Sequence, residues 1–371
     1  MNQRFSIATA VAASAAALLV ACGGGDSPEG GGIGGTGSPA AVGTLHVSLT
    51  DAPACGYDAV YVTVEKVRVH TSASAADAEA GWSEVVLTTP QRVNLLDLTN
   101  GALADLGQAT LPPGKYQQLR LVLAANRAAA PLANSVVPIG APETPLSVTS
   151  ADQTGIKVNL DLDVAADKTA DLVLDFDACK SVVRRGNSGQ YNLKPVVTAI
   201  PVLADAGLRI VGYVTPSLLL GSTSVSVQVA GKPIKATLPD AVGRFQLYPV
   251  PAGSYDLVVS SPGRVTALVT GVPVTASAIT TLASLTQPIT PPVANLRSVT
   301  GSVTPATATV RALQTYNGGP QVEVAWGAVD ATSGAFTFQL PIEAPVRAGY
   351  TADPAALGFV TDPTAAGKYT L

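Results

Sequence analysis

Charged, aromatic and histidine residues are all scarce in this 371-residue chain. Charged residues make up 13% of it and aromatic residues 5%, with two histidines and two tryptophans. The basic residues are dispersed and the formal net charge is −4, which excludes the clustered positive face that nucleic-acid binding requires. Walker and dinucleotide-binding glycine motifs are missing as well. The composition therefore favours a protein that is not an enzyme, holds no cofactor and binds no nucleic acid.

Hydrolytic chemistry would need a base, and the two histidines, His46 and His70, are the candidates. Neither lies in a His-Glu-x-x-His motif or beside a Gly-x-Ser-x-Gly motif. His46 falls on the polar face of a predicted strand and His70 ends another, so we expect both to be exposed. An unrecognised hydrolase is the weakest of the functions considered.

Cysteine is limited to three residues, and the first follows the apolar N-terminal run. Arg4 is followed by the uncharged residues 5–21, as in the n-region and h-region of a signal peptide. Cys22 comes after LLVA and before three glycines, which resembles a bacterial lipobox and implies lipidation of its sulfur. We therefore expect a lipoprotein signal peptide over residues 1–21 and a flexible, glycine-rich tether over residues 22–43.

Two alternatives to lipidation are open. Residues 5–21 reach the lower limit for a transmembrane helix, and an ordinary signal peptide cleaved at an Ala-x-Ala site would also fit. Gly23, directly after the cysteine, resembles the pattern of Gram-negative lipoproteins sent to the outer membrane. We therefore expect a protein held at the membrane by its N-terminal lipid, with no further membrane span.

The other two cysteines are Cys55 and Cys179. In the oxidising compartment that a lipoprotein reaches, an even pair predicts a disulfide bond. In the chain-entropy model, a disulfide that closes a loop of this length stabilises the folded state by about 4–5 kcal/mol. The alternative is two buried free thiols.

Long helical periodicity is nearly missing, whereas 28 prolines and 35 glycines separate short apolar runs. Apolar and polar residues alternate most clearly over residues 156–164, as in a half-buried strand. Valines of residues 60–64 and 67–69 alternate with opposite parity, so we expect a bulge at Glu65-Lys66. These patterns predict an all-β chain.

The first folded block covers residues 44–203 and is expected to form one larger sandwich or barrel-like domain. Its best helical segment is residues 95–106, interrupted by Asn100-Gly101. Two smaller β-sandwiches are expected over residues 207–286 and 297–371. The third block looks like a degenerate copy of the second, because two motifs recur 89 to 91 residues later. The matching positions are Gly212 with Gly301 and Phe245 with Phe336.

Seven short motifs lie in order along the first block. They are LTDAP (49–53), VTVEKV (62–67), LLDLTNG (95–101), LPPGKY (111–116), TGIKV (154–158), DFDACKSV (175–182) and LKP (193–195). Together they resemble a bacterial family catalogued as domain of unknown function 4382. The resemblance implies a lipid-anchored envelope protein and no particular activity.

The second block carries the motifs DAVGRFQL (240–247) and VPAGSYDLVV (250–259). Asp and Gly permit a tight turn between two strands, and a second turn follows at the proline. These motifs resemble carboxypeptidase regulatory-like domains. The resemblance implies a small transthyretin-like sandwich that serves as a spacer, an adhesion module or a carbohydrate-binding module.

Three aspartates lie beside the cysteine pair. Asp51 precedes Cys55 by four residues, and Asp175 and Asp177 come shortly before Cys179. A disulfide would bring these carboxylates together, and three of them could hold a structural Ca²⁺ ion. The alternative is that they cap turns and accept backbone N–H groups.

Carbohydrate binding commonly uses an exposed aromatic ring as a stacking platform. Trp82 follows the polar residues 71–81 and could serve as one, whereas the alternative is a strand residue that covers the core. We therefore expect a structural, adhesion or ligand-binding envelope protein, whose partner is another envelope protein or a glycan. A carbohydrate-binding lipoprotein is the alternative function.

Overall fold

The structure, a computed structural model, describes residues 41–51, 56–148, 154–202, 207–306, 308–352 and 357–371. In these ranges the chain consists mostly of β-strands arranged in several sheets, so the all-β fold class is confirmed. No helix within them is both long and apolar enough to cross a bilayer. The predicted signal peptide, most of the tether, Cys22 and Cys55 lie outside the described residues.

Two sheets build the first block. Its elements are β1 (Gly43–Asp51), β2 (Tyr57–His70), β3 (Ser83–Asn94), β4 (Ala104–Leu111), β5 (Gly114–Leu123), β6 (Ser135–Pro138), β7 (Thr144–Val148), β8 (Ile156–Val164), β9 (Thr169–Phe176), α1 (Ala178–Ser181), β10 (Val182–Arg185), β11 (Gln190–Leu193) and β12 (Val197–Val202). The smaller sheet has the order β12-β9-β1-β4, with β1 parallel to β9. The larger has the order β10-β11-β7-β6-β2-β5-β8, with β3 paired to β2.

Local sequence patterns explain several of these elements. β8 alternates buried and exposed residues along its whole length, as predicted. The register of β2 shifts between Val64 and Lys66 against both β3 and β5, which confirms the predicted bulge. The helix is shorter than expected, a 3₁₀ turn over Leu95–Leu98. Asn100 and Gly101 adopt positive φ angles, and this turn redirects the chain into β4.

The second and third blocks share one sheet. Their strands are β13 (Ile210–Tyr213), β14 (Ser224–Val229), β15 (Lys232–Thr237), β16 (Arg244–Leu247), β17 (Gly253–Ser260), β18 (Ala267–Val274), β19 (Thr280–Leu282), β20 (Leu296–Ser302), β21 (Thr309–Thr315), β22 (Gln321–Ala328), β23 (Ala335–Pro341), β24 (Val346–Gly349) and β25 (Val360–Thr361); 3₁₀ turns cover Leu220–Ser222 and Pro363–Ala365. The shared sheet has the order β15-β14-β17-β18-β24-β25, in which β24 runs parallel to β18. Smaller sheets are β16-β13-β19, β20-β23 and β21-β22.

The shared sheet is apolar on both faces. Leu257 and Val259 of β17 belong to the core of the second block, whereas Val258 and Leu268 belong to the core of the third. A strand covered on both sides carries a continuous apolar run instead of an alternating one. Residues 41–371 form one compact unit, and the domain boundaries drawn from the sequence stay a prediction.

The second and third blocks repeat a close glycine–phenylalanine contact. Gly212 lies opposite Phe245 in the β13–β16 pair, and Gly301 lies opposite Phe336 in the β20–β23 pair. A Cβ added to Gly212 would lie 2.5 Å from its phenylalanine ring, and one added to Gly301 would lie 2.6 Å from the corresponding ring. Glycine is therefore needed for the ring to cover the backbone at both places.

The turn glycines of the two motifs also have matching surroundings. Gly243 and Gly334 have φ angles of 81° and 67°. Their carbonyl groups accept the N–H groups of Val214 and Val303, at 2.8 and 3.0 Å. An added Cβ would lie 2.1 Å from the valine carbonyl oxygen in each case. The two blocks thus share the backbone geometry of both repeated motifs.

Candidate functional site

The carboxyl end of the β1–β9 pair carries two of the predicted aspartates. Asp51 ends β1, and the parallel register places Thr50 opposite Asp175 and Asp51 opposite Phe176. Phe176 packs in the core of the first block. Successive side chains of a strand point to opposite faces, so Asp175 points away from that core. The register therefore places Asp51 one position along from the Thr50–Asp175 pair, and both aspartates are buried where the two strands end.

Lys235 of β15 enters this site from the second block. Its Nζ donates to Oδ1 of Asp175 at 2.5 Å and to the backbone oxygen of Asp51 at 3.4 Å. Lys235 is 3% exposed, Asp175 7% and Asp51 1%. A buried ammonium group needs an anionic partner, because the free energy of removing it from water is otherwise not offset. The Lys235–Asp175 pair therefore ties the first block to the second.

The two carboxyl groups are electrostatically distinct from surface aspartates. Burial raises the pKa of Asp51 well above its usual range, although the Ala178 N–H donates to its Oδ1 at 2.8 Å. Oδ2 of Asp51 is buried and has no hydrogen-bond partner among the described residues. Burial also raises the pKa of Asp175, and the neighbouring Lys235 ammonium group opposes this shift. Asp51 is therefore a buried acid next to an ion pair.

Asp177 caps the turn that follows β9. Its Oδ1 accepts the Lys180 N–H at 2.9 Å, and its Oδ2 lies 3.0 Å from Lys180 Nζ. This is the capping role that we considered as the alternative to metal binding. Cys179 lies in the same turn, α1. Its predicted disulfide partner, Cys55, is outside the described residues, so the bridge stays a prediction.

Calcium would require oxygen ligands that face a common point. Asp175 instead faces Lys235, and Asp177 faces Lys180. Within the described ranges no group of three or more His, Cys, Asp or Glu residues could hold a metal ion. The calcium site at Asp51, Asp175 and Asp177 stays a prediction, which a thermal shift on adding Ca²⁺ after chelation would test.

A cleft of about 340 Å³ opens where the three blocks meet. Side chains of all three blocks line this cleft, among them Asp177, Lys180, Ser226, Gln228, Glu323 and Trp326. The Gln228 amide group both donates to the Glu323 carbonyl and accepts the Glu323 N–H, each at 2.8 Å. Burial raises the pKa of the Glu323 carboxyl, and the Arg311 guanidinium that donates to it opposes this shift. The cleft therefore contains several polar side chains and is braced by contacts between β14 and β22.

The sequence-based reasoning missed Lys235 and the cleft residues. Lys235 lies in the short segment KPIKAT, where a strand lysine ordinarily indicates a solvated face. Burial of this lysine depends on its contacts with Asp175 and Asp51 of the first block, which no local pattern in the sequence indicates. Trp326 lies in β22, and its sequence context does not show whether it lines a cleft or packs in the core.

The two histidines have different environments. His46 lies between two carboxylates, with Nδ1 2.8 Å from Asp171 Oδ1 and Nε2 3.1 Å from Asp105 Oδ1. His70 is buried, so the expectation of exposure was wrong for it. Its ring contacts the Ala80 carbonyl and the Ser72 N–H, at 3.0 and 2.9 Å. Both rings therefore have structural contacts.

The faces of Trp82 are occupied by cations. The Arg68 and Arg120 guanidinium carbons lie 4.6 and 5.3 Å from its ring centroid. The His70 ring packs at 5.1 Å between centroids, and the indole N–H donates to the Ala76 carbonyl at 2.9 Å. Trp82 is only partly exposed. These contacts favour the structural role that we weighed for this residue.

We expect the stability of the chain to decrease as the pH rises through the pKa of His46. Burial alone lowers this pKa, but hydrogen bonds to Asp171 and Asp105 outweigh it and the net shift is upward. A histidine whose pKa is higher in the folded than in the unfolded state stabilises the fold fully below the unfolded pKa of about 6.5. This contribution is lost as the pH rises through the folded-state pKa. Since the ring is one-third exposed, the effect should stay below about 1 kcal/mol.

Thermal melts of the wild type and His46→Gln between about pH 5 and 8.5 measure this effect. The wild type should lose stability relative to the variant as pH rises. Parallel pH profiles would contradict the assignment.

No curated protein matches the chain. A solved structure of a type II cohesin–X-dockerin complex from Acetivibrio cellulolyticus, an N-terminal interface mutant, is 21% identical over 24% of this chain and 60% of that chain, with a TM-score of 0.21. This chain thus spans about 60% of that relative's length. The Bacillus anthracis TIE protein is 13% identical over 82% of this chain and 44% of that one, at a TM-score of 0.18.

Two B repeat units of the collagen binding protein of Staphylococcus aureus are 8% identical over 88% of this chain and 69% of that chain, at a TM-score of 0.17. Scores this low establish no common function. The likeness of the second block to carboxypeptidase regulatory-like domains stays a prediction. Residues 42–195, which include Asp51 and Asp175, match the model of the family described as Domain of unknown function (DUF4382).

Proposed function

We propose that this chain is a non-enzymatic, lipid-anchored protein of the cell envelope with a structural, adhesion or ligand-binding role. The observation that carries the proposal is the cleft at the junction of the three blocks. Lys235–Asp175 joins the first block to the second, and Gln228–Glu323 joins the second to the third. Buried polar contacts of this kind hold β-sheets in one arrangement and so keep a binding surface preorganised.

The cleft has the size and lining of a binding site. Its volume of about 340 Å³ falls in the range of small-molecule pockets, about 300–1,000 Å³. Trp326 supplies an aromatic face, and Ser222 and Ser224 supply hydroxyl groups that can donate or accept hydrogen bonds. A flat ring beside several fixed polar groups suits a polyhydroxylated ligand. This favours the carbohydrate-binding alternative, with Trp326 rather than Trp82 as the stacking residue.

A glycan array probed with the purified full chain tests the binding role. If the cleft holds a sugar, Trp326→Ala should weaken binding by about tenfold or more, which corresponds to about 1.4 kcal/mol. Trp82→Ala is the matched control and should leave binding unchanged while lowering thermal stability, because Trp82 packs against Arg68 and Arg120. If the wild type binds no glycan, the carbohydrate-binding alternative is wrong. If Trp326→Ala and Trp82→Ala bind a glycan equally well, the cleft is not the binding site.

Anchoring through Cys22 is the second part of the proposal, with the outer membrane of a Gram-negative cell as the destination. Several acyl chains hold a protein stably at a bilayer, since each buried methylene contributes about 0.8 kcal/mol. Cys22→Ala should abolish acyl labelling and move the protein to the soluble fraction. Unchanged membrane retention would favour a transmembrane anchor. The Cys55–Cys179 disulfide belongs to the same proposal, and a mass measurement without reduction tests it.

A further inference from the structure

We propose that Lys235 and Asp175 form a covalent amide bond between the first and second blocks, by spontaneous condensation in their buried site. The nucleophile is Nζ of Lys235 and the electrophile is Cγ of Asp175. Asp51, on the neighbouring strand, is the proton carrier. The bond would join residues 60 positions apart in the chain. This inference goes beyond the proposed function, and does not depend on it.

The geometry is that of reactants already in contact. Nζ lies 2.5 Å from Oδ1 of Asp175. Since a carboxyl C–O bond is about 1.2 Å, the nitrogen can be no farther than about 3.7 Å from Cγ. Reacting atoms held at about 3–3.5 Å gain effective molarities of about 10⁵–10⁸ M, which can drive an otherwise slow bond formation. Both side chains are fixed by the sheets that carry them, β9 and β15.

The proposed condensation needs neutral reactants. A buried ion pair loses hydration on both groups, and proton transfer from the ammonium group to the carboxylate removes both charges at once. Burial raises the pKa of Asp175, in the direction that this transfer needs. The products are a free amine and a carboxylic acid, which are the forms able to react. Exclusion of water also disfavours the reverse hydrolysis.

Asp51 is placed to carry the proton. Its backbone oxygen lies 3.4 Å from Nζ, and the charges of Asp175 and Lys235 both act on its carboxyl group. One of its oxygens accepts the Ala178 N–H, while the other is buried with no partner among the described residues. A buried carboxylic acid can donate through one oxygen and accept through the other.

The reaction balances without any co-reactant. The Nζ lone pair attacks Cγ, a C–N bond forms and the carbonyl electron pair moves to oxygen. A proton from Nζ passes to Asp51, and Asp51 returns a proton to the hydroxyl group of Asp175. The C–O bond then breaks, water leaves and a neutral amide remains. Nothing is oxidised or reduced.

Tryptic peptide mapping of the full chain, reduced and alkylated, detects the bond. Trypsin does not cut between Lys232 and Pro233 and cannot cut after an acylated Lys235. The cross-linked form therefore yields one branched peptide, residues 169–180 joined to residues 210–244, lighter than the separate sequences by one water molecule. Fragmentation locates the branch at Asp175 and Lys235. Recovery of unlinked peptides 169–180 and 210–235 in equal, full yield would overturn the proposal.

Variants of Asp51 test the proton carrier. Asp51→Asn is nearly isosteric and should give a folded chain with the two peptides unlinked, whereas Asp51→Glu should restore part of the branched peptide. Circular dichroism confirms folding of each variant. If the wild type is linked and folded Asp51→Asn is equally linked, the role of Asp51 is wrong. If Asp51→Asn fails to fold, the wild-type peptide map still decides whether the bond exists, and Asp51→Glu decides the role of the acid.

Discussion

Lys235→Ala should lower the free energy of unfolding by at least about 3–5 kcal/mol, the usual loss when one partner of a buried ion pair is removed, and by more where the amide bond has formed. The substitution leaves the Asp175 and Asp51 carboxyl groups buried without the ammonium group that faces them. It also removes the contact that ties β15 to β9. Urea denaturation of the wild type and the variant, with linear extrapolation to water, measures the difference.

Two further variants control for this result. Lys232 lies on the same strand but is exposed, so Lys232→Ala should change the free energy of unfolding by no more than about 0.5 kcal/mol. The double variant Lys235→Met with Asp175→Leu replaces both groups by apolar ones and should recover the part of the loss that comes from leaving Asp175 buried and unpaired, but not any part that the amide bond contributes. An unchanged stability in Lys235→Ala would show that the ammonium group is not buried against Asp175.

Gly243→Ala should be nearly as damaging. Gly243 has a φ angle of 81°, which costs an L-residue about 1–3 kcal/mol. Its added Cβ would also lie 2.1 Å from the Val214 carbonyl oxygen. That backbone atom cannot withdraw without breaking the 2.8 Å hydrogen bond between Val214 N–H and the Gly243 carbonyl. We expect a total loss of at least about 3 kcal/mol, measured by urea denaturation.

Gly263→Ala is the matched control, because its φ angle is 71° and nothing lies within 4 Å of the added Cβ. It should show the backbone penalty alone, about 1–2 kcal/mol. The difference between the two variants isolates the close approach of Gly243 to Val214. Equal losses at both positions would mean that the contact has no energetic effect. Gly334→Ala in the third block should resemble Gly243→Ala, since its Cβ would lie 2.1 Å from the Val303 carbonyl oxygen.

Local rules account for much of the fold. Period-two alternation identified β8, and a change of parity identified the bulge in β2. The predicted helix over residues 95–106 is too long, because the turn at Asn100-Gly101 ends the helical geometry after Leu95–Leu98. The apolar residues after this turn fit a strand as well as a helix, so they did not predict β4.

The site was harder to predict because its parts come from different blocks. The two neighbouring aspartates were identified from their places beside the cysteines, yet their partner is a lysine 60 residues after Asp175. Burial of Lys235 follows from tertiary packing and has no local signature. The same holds for Gln228 and Glu323, whose contact joins residues 95 positions apart. His70 was misjudged for a related reason, since residues 80 and 82 fold back over its ring.

The parallel strand β24 covers a sheet edge that would otherwise be open to pairing with another chain. It occupies the side of β18 that β17 leaves open, pairing residues 267–270 with 346–349. The outer edge is then finished by β25, which has two residues. Very short edge strands offer little backbone for another chain to pair with. Without β24 and β25, β18 would present a long, apolar, unpaired edge. These two strands therefore block the addition of a strand from another molecule at this edge.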